Sequence, residues 1–206
     1  MSERNDSPTY KREYYEWVNF WWENSFDYES PRILFVGDSI TNQYRSPVQQ
    51  IFKSKGYKYL IDSTVGSKSS ADPAWLCELD YALNPMFGYK YKLIHINNGL
   101  HTGGLNVSDY ISGIKIYTER VRQYQPQAEI VLVTSTPVKD EESNKVVTER
   151  NISLKAYAAE AGYAVNDLNA AIDLSADPWS DGVHFKPAAV DLLAQATSDF
   201  IVGILN

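Results

Sequence analysis

The sequence predicts an α/β protein built on a doubly wound, mostly parallel sheet. Three observations predict it. Runs such as Ile33-Leu34-Phe35-Val36 and Ile130-Val131-Leu132-Val133 are continuously apolar, which suits strands covered on both faces. Helical patterns separate these runs, and strand–helix alternation favours right-handed crossovers into a parallel sheet. The 206 residues suffice for one such domain with a real core and are too few for two.

Five strands are expected. Ile33–Val36 leads straight into Gly37. Tyr59-Leu60-Ile61 is the second, Leu93-Ile94-His95-Ile96 the third, Ile130–Val133 the fourth, and Ala164-Val165 a short fifth. Helices are expected over residues 44–55, 107–124, 147–161 and 187–204. In the second of these, Ile111, Ile114, Tyr117, Val121 and Tyr124 recur at helical spacing, and the last opens on Pro187, a residue suited to a first turn. The polar stretch from Lys139 to Lys145 reads as a solvated loop.

Residues 1–30 stand apart from this alternation. Tyr10, Tyr14, Trp17, Val18, Trp21 and Trp22 fall at i, i+3/i+4 spacing, and Asp27 to Pro31 breaks the pattern. The reading is an aromatic helix packed on a single domain formed by residues 31–206. A dimer face or a sugar-stacking surface is the other use for such a stripe.

Composition narrows the function. Hydrophobic residues make up 44% and charged residues 22%, which excludes wholesale disorder. Nineteen basic residues against 26 acidic give a net charge of −7. With no basic block, duplex nucleic acid and anionic membrane surfaces are poor partners. Cys77 is the one cysteine, which excludes an internal disulfide framework and a multi-cysteine zinc site; it reads as a buried thiol. The first 17 residues lack the apolar core of a secretory signal. No run approaches the ~18 apolar residues of a membrane span. A cytoplasmic protein without a membrane span is therefore expected.

Ligands of an open parallel sheet bind beyond the carboxyl ends of its strands. Gly37-Asp38-Ser39-Ile40 lies there, between a strand and a helix. A serine on that tight turn has its hydroxyl exposed and its own N–H at a positive helix end. The plainer use of Asp38 or Ser39 is as a helix cap. Asp181 and His184 stand three residues apart, so the carboxylate can hold Nδ1 and leave Nε2 to take a proton from a serine. Of the other two histidines, His95 sits inside a strand and reads as structural. His101 follows Gly99-Leu100 just past a strand end, within reach of the same cavity. Thr136 and Trp179 are candidates to line the pocket, and Trp75 to border it.

Taken in order, strand–Gly37-Asp38-Ser39, the Gly66-Ser67 loop, Asn97-Asn98-Gly99-Leu100-His101 and the late Asp181-x-x-His184 resemble the GDSL/SGNH hydrolase family over about residues 32–204. The third block resembles a subgroup carrying Asn-x-Gly-Leu-His. The resemblance implies a flavodoxin-like three-layer α/β/α sandwich with a five-stranded sheet. It also implies a serine esterase without metal or organic cofactor. Ser39 would be the nucleophile, His184 the general base and Asp181 its orienting carboxylate. The oxyanion would be held by the N–H groups of Ser39 and Gly66, or Ser67 if the register is one residue off. His101 stands where the family usually has an asparagine, so the third donor is His101, or Asn97 or Asn98 in its place. Asp38, Thr136 and Trp179 would contact substrate. The implied substrate is a small-molecule ester, an acetyl group on a carbohydrate or other polar alcohol. A lysophospholipase or thioesterase is the alternative within enzymes, and a catalytically silent ligand-binding module the alternative outside them. A Rossmann-type nucleotide binder is disfavoured, since no G-x-G-x-x-G or Walker pattern follows the first strand.

Overall fold

The computed structural model describes residues 11–101 and 104–206. Six strands form one sheet: β1 (Val18–Trp21), β2 (Arg32–Gly37), β3 (Leu60–Gly66), β4 (Tyr91–Asn97), β5 (Glu129–Val133) and β6 (Ala164–Asn166). Among the described residues five α-helices accompany them: α1 (Ser39–Ser54), α2 (Pro73–Ala82), α3 (Val107–Tyr124), α4 (Glu141–Ala161) and α5 (Pro187–Leu205). The sheet order is β1-β3-β2-β4-β5-β6. All pairs are parallel except β1 with β3. Without β1 this is the flavodoxin-like order, whose switch point lies between the first strand and its neighbour on the other side. Here that point falls between β2 and β4, so the loops leaving them open side by side.

The continuous apolar runs are explained by two cores, one on each face. Leu34, Val36, Ile94, Ile96 and Leu132 point toward α2, α3 and α4 and pack with Trp75, Tyr110, Tyr117 and Leu154. Ile33, Phe35, Leu93, Val131 and Val133 point the other way and meet Tyr44, Val48, Phe52, Leu193 and Ile201 of α1 and α5. Helix α5 is long and apolar enough to cross a membrane by length and composition. In this fold its Leu193, Ala194, Thr197 and Ile201 are buried against the sheet and α1. Trp75 is a core residue, stacked on Tyr117 with ring centroids 3.6 Å apart.

Four expectations need correction. The sheet has six strands, not five, because the N-terminal aromatic segment supplies a strand rather than a helix. Val18–Trp21 runs antiparallel along β3. Its aromatic residues fit either period over so few positions, and the open edge of β3 decides the outcome by offering a row of backbone partners. Phe20 turns inward and meets the rings of Trp22 and Tyr81. Tyr10 lies outside the described residues. Next, α4 begins at Glu141, not after Lys145: Asp140 accepts from the Ser143 N–H at 2.8 Å, and Glu141 and Glu142 sit in the first turn, where acidic side chains favour the helix dipole. Cys77 is exposed, not buried, because it lies on the outer face of α2. That helix is itself set by Asp72, which caps Ala74 N–H at 2.9 Å, followed by Pro73. Lastly, α1 begins at Ser39 rather than near Tyr44.

The chain before β2 is tied down by charge. Arg32 is buried and donates to both oxygens of Asp62 at 2.8 Å and to the carbonyls of Glu23, Asn24 and Asp27. Asp62 also accepts from Glu23 N–H and the Tyr91 hydroxyl. A buried charge pair persists only when its remaining valences are met, and here the turn before β2 meets them.

Candidate active site

Gly37 ends β2 and α1 begins two residues later. A Cβ on Gly37 would collide with the Thr41 side chain, so only glycine lets the helix start this close to the strand. Asp38 is buried and accepts from the N–H groups of Ile40 at 2.9 Å and Thr41 at 3.4 Å. Burial raises its pKa, with the charge of His101 opposing. The plain capping role is therefore the one Asp38 fills. It leaves the N–H of Ser39 as the donor of that first turn which the cap does not use.

The second element is the loop between β6 and α5. Gly182 takes a left-handed conformation, φ 93°, which folds Asp181 back onto His184. His184 Nδ1 donates to Asp181 Oδ2 at 2.7 Å. Asp181 Oδ1 accepts the N–H groups of Val183 at 3.0 Å and His184 at 2.8 Å. These three bonds, the imidazole's first, pull the Asp181 pKa down to about 2. His184 Nε2 lies 2.8 Å from Ser39 Oγ. Ser39, His184 and Asp181 thus form one hydrogen-bonded chain. Gln43, one turn along α1, fixes the loop: its amide donates to Phe185 O and accepts from Phe185 N–H, both at 3.2 Å. Trp179 Nε1 donates to Pro137 O at 3.0 Å.

The third element is the loop after β4. Gly99 packs against Ser135 so closely that a Cβ would strike the Ser135 hydroxyl. Buried Arg150 of α4 donates to Gly99 O at 3.1 Å and Leu105 O at 2.6 Å. Asn151 clamps the end of β5 through Ser135 N–H and C=O, each at 2.8 Å. His101 Nδ1 lies 2.6 Å from Glu13 Oε1.

Ser39, His184, Asp181, His101 and Glu13 line one cavity of about 960 Å³, with Leu100, Val138, Val146, Val147, Val183, Lys139 and Arg150 among its other walls. The volume is that of a small-molecule site. Several expected site residues are elsewhere. Gly66 ends β3 opposite Val18, and a Cβ there would strike Trp17 O. The Ser67 N–H donates to Trp17 O at 3.1 Å, and its hydroxyl donates to Glu16 and accepts from Trp17 N–H. The segment leading into β1 thus takes up the N–H of Ser67, while Gly66, paired with Val18 in the next register position, turns its own N–H away from β1. Asn97 is buried at the end of β4, and Asn98 Nδ2 donates to Lys68 O at 2.9 Å; neither is among the cavity-lining residues. Nor are Asp38, Thr136 and Trp179, since Asp38 caps α1, Thr136 is buried behind the strand end, and Trp179 packs on the α1/α5 core. His95 is fully buried, accepts from Asn166 Nδ2 at 3.0 Å, and is driven by burial to a pKa of about 3: it is structural.

Sequence reasoning missed Glu13, Gln43 and Arg150. Arg150 had a signal, a charged residue on the face of α4 shared by Val147, Leu154 and Ala158. Glu13 and Gln43 had none. Among the described residues no group of three His, Cys, Asp or Glu side chains is arranged to hold a metal.

No protein-family model matches the chain, and no curated protein does. Solved structures do. A GDSL-like lipase from Bacteroides thetaiotaomicron VPI-5482 superposes with a TM-score of 0.66 at 18% identity, covering 84% of this chain and 88% of that one. An acetylxylan esterase from Geobacillus stearothermophilus gives 0.69 at 16% identity, covering 83% and 94%. A carbohydrate esterase family 3 protein from Talaromyces cellulolyticus gives 0.62 at 16% identity, covering 84% and 97%. At these identities the likeness establishes a shared α/β/α fold.

Proposed function

We propose that the chain is a serine hydrolase of the GDSL/SGNH type that cleaves short-chain carboxylic esters, with acetyl on a carbohydrate or other polar alcohol as the preferred substrate. The observation that carries this is the continuous hydrogen-bonded path from Ser39 Oγ through His184 to Asp181. A serine hydroxyl is a weak nucleophile until a neighbouring base takes its proton. Here Nε2 takes it, the Ser39 oxygen attacks the ester carbonyl, and Asp181 stabilises the imidazolium. His184 then protonates the departing alcohol. Water, deprotonated by the same ring, releases the acid and restores Ser39. The oxyanion is held by the Ser39 N–H at the start of α1 and by His101. Each such donor is worth about 2.7–4 kcal/mol of barrier.

The acyl preference rests on the superposed acetylxylan esterase and carbohydrate esterase. The apolar wall of Leu100, Val146, Val147 and Val183 is the feature that favours a second reading, a longer-chain lysophospholipase or thioesterase. Nitrophenyl esters of increasing chain length separate the two. A kcat/KM maximum at two carbons supports the acetylesterase; a maximum at eight or more replaces it with the second reading. A fluorophosphonate probe tests the nucleophile. Labelling at Ser39, and turnover lowered at least about 10⁴-fold in a folded Ser39→Ala variant, is the expected result. A folded protein that takes no label is a binding module instead.

A further inference from the structure

We propose that Glu13 is a positioning residue for the oxyanion site, and that its bond to His101 requires the donor there to be an imidazolium. The inference rests on the esterase reading above. Glu13 lies in the segment before β1, and its carboxylate is 2.6 Å from His101 Nδ1. The segment is fastened on both sides of it. Arg12 donates to both oxygens of Asp72, at 2.8 and 3.0 Å. Glu16 accepts from Ser67 Oγ and Lys68 Nζ, each at 2.7 Å, and from Glu13 N–H at 2.8 Å. Glu13 is thereby held at the mouth of a cavity that His101 and Ser39 share.

The protonation state follows from valence. A carboxylate only accepts, so Nδ1 carries a hydrogen whenever the bond is made. In a neutral ring Nε2 is then bare and offers a lone pair, which an oxyanion repels. Only the doubly protonated ring keeps the Glu13 bond and presents Nε2–H. His184 and Asp181 have the same Nδ1–carboxylate geometry, and there the bare Nε2 is what base catalysis needs. Two histidine–carboxylate pairs facing one cavity must therefore work in opposite protonation states. The charged groups around His101 are Glu13 on its own side, Asp38 at the start of α1, Arg150 from α4, Lys139 and Asp140 ahead of α4, and Asp181 with His184 across the cavity. In the first chemical step the proton of Ser39 goes to His184. His101 donates a hydrogen bond and keeps its proton.

The test combines pH–rate profiles with imidazole nitrogen NMR on the full chain. At the pH of maximal kcat both His101 nitrogens are expected to be protonated, and kcat to fall with one proton on the alkaline side. Glu13→Gln, whose amide can donate to Nδ1 and so allow a neutral Nε2–H ring, is expected to lower maximal kcat about tenfold or more, with KM little changed, and to abolish that alkaline fall. His101→Asn should abolish it too, and adding Glu13→Gln to His101→Asn should change nothing further. A neutral His101 with bare Nε2 at optimal pH overturns the proposal. So does a wild-type profile in Glu13→Gln, or an equal loss from it in the His101→Asn background, which marks a merely structural role. In all three cases Ser39 still labels with fluorophosphonate. Failure of that labelling in the folded wild type removes the esterase reading and this inference together.

Discussion

Gln43 holds the backbone of Phe185 with both ends of its amide, so the helix that presents Ser39 also anchors the loop that presents His184. The two partners are 145 positions apart. Their 2.8 Å separation depends on this clamp and on the burial of Phe185 beside α1.

Gln43→Ala is expected to lower kcat about tenfold or more while KM stays near wild type, since small misplacements of reacting groups are expensive in rate. The stability loss is expected to be about 1–3 kcal/mol for two neutral hydrogen bonds. Steady-state kinetics beside thermal unfolding checks this. A wild-type kcat would show that packing of Phe185 alone positions the loop.

Asp181→Asn keeps an oxygen for the Val183 and His184 N–H groups but turns an amide N–H toward Nδ1. The ring must then accept there and carry its hydrogen on Nε2, facing Ser39. The expected loss in kcat is about 10⁴-fold with the fold intact. Because the wild-type carboxyl titrates at about 2, its ionisation is complete well above that pH. Protonation of Asp181 should therefore contribute nothing to any loss of kcat/KM between pH 4 and 6. A titration of the Asp181 carboxyl between pH 4 and 6 would contradict this.

Gly99→Ala puts a methyl into the Ser135 hydroxyl and pushes the His101 loop off its seat beneath Arg150. Overpacking of this kind typically destabilises by about 1–3 kcal/mol. The expected signature is a kcat loss larger than the loss in Tm explains, measured at a temperature where the variant is folded.

Glu78 is half-buried beside Lys68, Asp72 and Glu16, and burial raises its pKa to about 7. A carboxyl that titrates higher in the folded than in the unfolded chain supports the fold below its unfolded value, near 4.5, and loses that contribution as pH rises through 7. Glu78→Gln should be near neutral at pH 4.5 and stabilising at pH 8, by about 1–3 kcal/mol. That is roughly 2–4 °C in Tm per kcal/mol for a chain of this length. Equal Tm shifts at both pH values would contradict the assignment.

Local signals carried far. The periodicity of Ile111, Ile114, Tyr117 and Val121 set α3 at its observed bounds, and Pro187 marked the start of α5. The residues read as nucleophile, base and orienting carboxylate stand together in one chain of hydrogen bonds. Asp140-Glu141-Glu142 was an equally local cap signal and went unread, which left α4 two turns short. The N-terminal stripe was ambiguous in itself, because six aromatic and apolar residues over thirteen positions fit a helix face about as well as a broken strand.

By itself the sequence determined the alternation of strands and helices, the turn that exposes Ser39 and the pairing of Asp181 with His184, because each is written within a few neighbouring residues. Only the tertiary structure decided that residues 18–21 close the edge of β3, that Trp17 takes the N–H of Ser67, that Glu13 and Arg150 reach the cavity, and that Gln43 reaches the loop carrying His184. Those outcomes depend on which surface remains uncovered once the sheet has assembled. A backbone edge or a buried carbonyl selects its partner by proximity in space, and proximity between residues 13 and 101, or 43 and 185, leaves no mark on the residues beside them.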